Sequence, residues 1–275
     1  MPNISYFFEP VTWFTFLIGA IIGSFLNVCI FRIPEKTFFQ NSRSLCRNCN
    51  TQIPAFHNIP ILSFLILRGR ASCCNAKLSW QYPVVELFTG LMMVCCYWRY
   101  PFLMSYAAGD LQVDHAHLLR FLHLSLFTCL MIVCSVIDIR EMIIPDVISL
   151  PMIAATPLVV YFHPDLTMTS ALIGVIIGGG SLYLIAWLYW LVRREIGLGF
   201  GDVKLLAAIG GWLGFEAVMP SIFFASISGS IVGLALLAIR RSATMKMAIP
   251  FGPFLAAGAV LHMFVEMHRV ISWDF

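Results

Sequence analysis

A chain of 275 residues with 60% hydrophobic side chains, 11% charged ones and a mean hydropathy of +0.86 is too apolar for a water-soluble globule. Its formal charge of +3 is small, and its cations flank apolar runs as topology signals do, so the charge gives no support to a nucleic-acid partner. The composition specifies an integral membrane protein, and backbone hydrogen bonding inside lipid makes its crossing segments helical.

In chain order the apolar windows fall at 11–31, 83–98, 119–137, 147–162, 170–192, 203–215, 220–239 and 249–267. The sequence therefore predicts an all-α fold of about eight transmembrane helices. The first window has no Lys or Arg before it and no small-residue cleavage site after it, and reads as a retained helix. The 203–215 window is short for a span, and it could form one broken helix with 220–239.

With eight spans and an outside amino terminus, 14 of the 17 basic residues fall on the cytoplasmic side. Seven of them lie between Arg32 and Lys77; the others are Arg140, Arg193, Arg194, Lys204, Arg240, Arg241 and Lys246. Arg99, Arg120 and Arg269 fall outside.

Residues 32–82 form a cytoplasmic loop module holding four of the nine cysteines. Cys46 and Cys49, in CRNC, have the spacing of half a tetrahedral zinc site, whereas Cys73 and Cys74 are adjacent and need backbone adjustment to share an ion. Zinc and free thiols are both open readings. Disulfides are the poorer use on a reducing side. Cys29, Cys95, Cys96, Cys129 and Cys134 lie in apolar spans and read as small hydrophobes.

Glu86 is an acid at the start of an apolar span: either a functional group or an interfacial partner of Arg70 or Lys77. The connection 99–118, with Asp110, Asp114, His115 and His117, reads as a solvated outer loop. Glycines 174, 178, 179, 180, 229 and 233 read as helix-packing positions.

The most informative residues are Asp138, in IDIREMIIPD, and Asp202, in GFGDVKLLAAIGGWLG. Asp138 closes an apolar helix at the end where the helix dipole disfavours an anion, and its bland explanation is an ion pair with Arg140 or Lys204. Asp202 follows two glycines that permit a tight turn or close approach of a substrate backbone; its bland explanation is a helix cap. Asp146, after Pro145, reads as a cap. Both Asp138 and Asp202 fall on the cytoplasmic face. Two acids held in opposite dipole environments suit an aspartic protease dyad, one activating water and the other polarising the carbonyl.

The strings GSFLNVCIFRIP, CRNC, NIPILSFLILRGR, YPVVE, IDIREMIIPD, GFGDVKLLAAIGGWLG and IPFGPFLAAG occur in the order seen in prepilin leader peptidases of type IV pilus, type II secretion and competence systems. The chain resembles that family over nearly its whole length. The resemblance implies an inner-membrane aspartic endopeptidase with Asp138 and Asp202 as its catalytic pair. Its substrates are prepilins and pseudopilins, cut just after a glycine on the cytoplasmic side.

It also implies N-methylation of the new amino terminus from S-adenosylmethionine, by an amino-terminal part (1–117) ahead of a six-helix peptidase core (118–275). The family pattern places cysteine pairs in the loop, which makes Cys46, Cys49, Cys73 and Cys74 the metal candidates. Ala71 stands where the family carries one ligand, Cys74 matches its partner, and Cys73 is the available substitute. The alternative class is a proton-coupled transporter, which uses intramembrane acids and glycine-broken helices.

Overall fold

The computed structural model describes residues 10–38, 46, 48–49, 51–54, 59–105, 111–195, 197, 199–239 and 249–265. Arg43, Arg47, Asp110, Arg240, Arg241, Lys246 and Arg269, all used in the topology reading, lie outside these. Among the described residues there are ten α-helices and one two-stranded sheet. The chain forms two compact units, Met1–Val133 and Cys134–Phe275.

The first unit is built on α1 (Pro10–Glu35) and α3 (Gln81–Arg99), joined through the short α2 (Leu62–Ile66). Gly19 faces Gly90, Gly23 faces Glu86, and the Asn27 amide donates to the carbonyl of Tyr82 at 3.2 Å. Each step of four along α1 thus matches a step of four back along α3. The pair is antiparallel and close, because glycine at three of the crossing positions removes the side chains that would hold the backbones apart.

The described part of the 99–118 connection contains a short hairpin. Strands β1 (Leu103–Ser105) and β2 (Leu111–Val113) pair antiparallel, with Met104 opposite Gln112. Asp114 then caps α4 (His115–Glu141) by accepting the His117 amide at 3.0 Å, and His117 Nδ1 lies 3.0 Å from the carbonyl of Pro101. These polar residues close the hairpin onto the helix start, satisfying amides that a helix amino terminus leaves unpaired.

The second unit takes the end of α4 and adds α5 (Asp146–Ala154), α6 (Thr156–Phe162), α7 (Met168–Arg193), α8 (Phe200–Leu213), α9 (Val218–Ile239) and α10 (Gly252–Val265). The 147–162 window is split in two. Pro157 has no N–H to bond the carbonyl of Ile153, and the freed turn is held from outside by the Trp212 indole, which donates to the carbonyl of Met152 at 2.7 Å. The 203–215 and 220–239 windows are separate helices: Gly214, at φ +84°, ends α8, and a 3-10 turn at Phe215–Ala217 leads into α9.

Helix α8 is the most buried element, and a close crossing with α7 explains how. A Cβ on Gly174 would overlap the carbonyl oxygen of Gly210, and one on Gly178 would lie 2.5 Å from that of Leu206. Gly180 meets nothing and Gly229 only ordinary contacts, Gly179 and Gly233 have one tighter neighbour each at 3.3 and 3.2 Å, and of these six only Gly174 and Gly178 lie against backbone too close for any side chain.

Four segments are long and apolar enough to cross a bilayer: Pro10–Glu35, His115–Glu141, Met168–Arg193 and Phe215–Ile239. Gly252–Val265 is a shorter apolar helix. The protein is a helical membrane protein. Each of the eight expected windows contains helix, but among the described residues only these four meet the length and hydropathy of a full span.

Candidate active site

Asp138 lies in the last turn of α4. The helix continues through Glu141 and stops at Met142, whose positive φ of 56° ends the spiral while its amide still bonds the carbonyl of Asp138 at 2.9 Å. Asp202 lies in the first turn of α8, where Gly199 is the N-cap residue. A helix end and a helix start are thereby brought together inside the second unit.

Both carboxylates are buried, with Asp138 5% and Asp202 8% exposed. The charge of Asp138 reaches Asp202, which places the two acids in one electrostatic neighbourhood. One residue, Ile144, touches the surroundings of both: its side chain sits 3.0 Å from where a Cβ would project on Gly201 and 3.0 Å from the same position on Gly252. Gly252, the first residue of α10, donates its backbone N–H to Asp138 Oδ2 at 2.9 Å. A Cβ there would stand 2.8 Å from the same oxygen.

The ion-pair explanation does not hold for Asp138 among the described residues, and Asp202 keeps part of a capping role, since its carboxylate accepts the backbone N–H of the N-cap residue Gly199. Neither Arg140 nor Lys204 pairs with Asp138: Arg140 lies beside Glu141 at 3.7 Å, and Lys204 pairs with Asp146. Asp202 is not the cap residue; it occupies the third helical position, and its Oδ2 lies 3.3 Å from the Cβ position of Gly199. Asp146 is not a cap either, since Pro145 holds that place and the Asp146 carboxylate reaches Lys204. That pair ties the start of α5 to the first turn of α8.

The flanking glycines act differently from expectation. Gly199 and Gly201 have ordinary negative φ, and Gly201 serves by letting Ile144 come close. Gly252 was not legible as a site residue. Its string, IPFGPFLAAG, was visible, but a backbone N–H carries no side-chain signature.

In the first unit, the four loop cysteines converge, with all Sγ atoms within 4.8 Å of one another. Cys46 lies 3.7 Å from Cys74, and Cys49 lies 3.3 Å from Cys73. Adjacent Cys73 and Cys74 share the cluster because the chain turns sharply around them. Ala71 bonds Ala76 at 2.8 Å, Asn75 takes a positive φ of 58°, and Arg70 bridges Lys77.

The donor set suits a thiophilic cation. Sγ atoms at the corners of a zinc tetrahedron with bonds of about 2.3 Å are about 3.8 Å apart, close to the spacings seen. The Thr51 hydroxyl pushes the Cys49 thiol down to about 6, while the neighbouring Cys49 and Cys46 sulfurs push Cys73 up to about 12. Four thiolates this crowded ionise together only around a cation.

Glu86 is 7% exposed and accepts the backbone N–H of Ile61 at 2.7 Å. Ile61 has a positive φ of 61° at the start of α2. The acid thus pins α2 to α3, and neither Arg70 nor Lys77 is its partner among the described residues.

Comparison with known proteins gives the family. Residues 17–100 match the bacterial peptidase A24 N-terminal domain, and residues 125–234 match the type IV leader peptidase family. The chain belongs to the type IV leader peptidase family. It is 35% identical to a prepilin leader peptidase/N-methyltransferase of Aeromonas hydrophila, covering 88% of this chain and 86% of the relative. Proteins of the same name from Dickeya chrysanthemi (34%, covering 91% of each chain) and Pseudomonas putida (32%, covering 90% and 89%) are similarly close. No solved structure matches.

Proposed function

We propose that this protein is a membrane aspartic endopeptidase that removes the leader of type IV prepilins and pseudopilins and N-methylates the new amino terminus. The observation that carries the peptidase reading is the meeting of two buried carboxylates at the end of α4 and the start of α8, with the Gly252 amide fixed on one of them. Family membership supports the substrate class and the second activity.

The arrangement can perform hydrolysis without a covalent intermediate. Two adjacent acids in a site of low polarity share a proton, because both cannot be charged at low cost. The ionised member takes a proton from water as it attacks the scissile carbonyl, and the protonated member donates to the carbonyl oxygen. The Gly252 N–H holds one oxygen of Asp138 still, so that the remaining oxygen is presented to water or substrate. Neither aspartate can be assigned alone to one role, since the pair titrates together.

In this reading the chain lies in the bacterial inner membrane with about eight spans, residues 32–82 and both aspartates at the cytoplasmic face. Residues 1–117 form the methyltransferase part and 118–275 the peptidase core. Zinc on Cys46, Cys49, Cys73 and Cys74 would supply a structural cross-link in a loop module too small to bury a core of its own. S-adenosylmethionine would supply the methyl group. The cavity of about 560 Å³ beside the cysteine hairpin is lined by Arg68, Arg70 and Lys77 and by no acid, so it does not fit a sulfonium, and no methyl-transfer step is derived from it. Nothing found supports the proton-coupled transporter.

Incubating the purified protein with a prepilin and labelled S-adenosylmethionine, then reading the product's amino terminus by mass spectrometry, tests both activities. A shortened, methylated product is expected. An intact prepilin from well-folded protein overturns the peptidase reading.

A further inference from the structure

The aspartate pair leaves one strongly charged feature of the first unit unexplained. Arg68, Arg70 and Lys77 line one cavity together with Phe64 and Trp80, whose rings lie 4.8 Å apart. All three cations are exposed, and among the described residues none is paired with an acid. The cavity is a built feature: Gly69, at φ +68°, folds over Phe64, the Leu78 amide bonds the carbonyl of Gly69 at 2.8 Å, and Arg70 bridges Lys77 across the cysteine hairpin.

Its depth follows from helix register. Gly19, Gly23 and Asn27 of α1 stand opposite Gly90, Glu86 and Tyr82 of α3, so Trp80 lies level with Cys29, about one turn before Arg32 ends the apolar run of α1. Helix α1 is itself one of the membrane-capable helices. The cavity therefore opens at the boundary between hydrocarbon and water. Beside it, α2 exposes Leu62, Leu65 and Ile66, and Trp80 is 70% exposed. Tryptophan at this level is an interfacial anchor, and lysines and arginines there attract anionic headgroups.

We infer that this cavity is a binding site for an anionic phospholipid. The phosphate and its neighbouring headgroup oxygens sit among Arg68, Arg70 and Lys77, while the acyl chains run along the apolar face of α2 and the Trp80 ring. Arginine forks match phosphate oxygens in pairs, and the lysine adds a point charge. Bound lipid would hold the cysteine hairpin against the bilayer surface. The inference rests on the proposed placement of residues 32–82 at the cytoplasmic face, where anionic lipid is presented.

The test uses full-length protein in phosphatidylcholine bilayers containing phosphatidylglycerol, the lipid retained after detergent extraction being counted by native mass spectrometry. Wild type should keep phosphatidylglycerol in preference to phosphatidylcholine. The Arg68→Gln, Arg70→Gln, Lys77→Gln triple variant should lose that preference by about tenfold or more, since each cation at such a surface contributes roughly a fivefold factor. Brominated phosphatidylglycerol should quench wild-type fluorescence more than brominated phosphatidylcholine does, and Trp80→Phe should remove the difference.

Unchanged retention in the triple variant overturns the site, as does equal quenching by both lipids. Displacement of the lipid by inorganic phosphate or S-adenosylmethionine would make it a soluble-anion site and equally overturn the proposal. If the triple variant fails to fold, a salt series on wild type decides: selective release of phosphatidylglycerol supports the site, and indifference to salt refutes it. Lipid retention by purified protein does not depend on sidedness. Labelling of Cys49 and Cys73 by an impermeant maleimide from outside intact cells would refute the placement separately.

Discussion

At the scale of single residues, the site depends on one contact that is not between side chains. The Gly252 N–H holds Asp138 Oδ2 at 2.9 Å, and only a residue without a Cβ fits beside that oxygen. Gly252→Ala should push the carboxylate aside and lower kcat for prepilin cleavage by about a hundredfold, the usual effect of a displacement near 1 Å, with a smaller change in KM. Asp138→Asn and Asp202→Asn should each lower cleavage by at least about a thousandfold, within the range for loss of an acid or base, while circular dichroism stays that of wild type. Full activity in either asparagine variant would end the dyad reading. The aspartates were legible because a carboxylate at the edge of an apolar run is costly and asks for a reason. Gly252 was not, because a backbone donor looks the same in any sequence.

At the scale of elements, the position of α8 sets that of Asp202, and α8 is held mainly by α7. Gly174 and Gly178 bring the two backbones into contact, whereas Gly180 two positions on faces open space. The same chemical change should therefore have opposite signs. Gly174→Ala overpacks the crossing and should destabilise by about 1–3 kcal/mol or more. Gly180→Ala meets nothing and should stabilise by about 0.5–1 kcal/mol through helix propensity alone. Thermal unfolding in a mild detergent reads both, and equal shifts would show that the close crossing is not what positions α8. The Lys204 to Asp146 pair should contribute less, no more than about 1 kcal/mol, because Asp146 is 60% exposed.

The sequence shows that glycines matter here but not which ones, because period and composition are the same for Gly174 and Gly180. It also suggests eight uninterrupted windows. The 147–162 window breaks because Pro157 removes a bond and Trp212, 60 residues away, supplies another. No local pattern contains that partner. Polarity alone likewise does not show what Asp114 and His117 do in the 99–118 segment, where they close a hairpin onto a helix start.

At the scale of the whole molecule, the two kinds of chemistry are segregated. The four cysteines and the cationic cavity belong wholly to Met1–Val133, and the aspartate pair with Gly252 belongs wholly to Cys134–Phe275. The hairpin between Arg70 and Lys77 is turned by the very residues that carry Cys73 and Cys74.

Loss of the proposed zinc should therefore act on one activity before the other. Without a cation, the crowded thiols repel as they ionise and the hairpin loosens, since structural zinc provides folding energy outright in modules of this size. Chelation, or the Cys46→Ser, Cys49→Ser pair, should abolish N-methylation of a supplied prepilin while leaving leader cleavage within about threefold, because the cysteines and the aspartates belong to separate compact units and independent sites behave additively. Metal content, cleavage and methylation measured on one preparation decide the matter. If cleavage and methylation fall together as zinc is withdrawn, the two units are coupled through the loop module, and the cysteine cluster supports the peptidase as well.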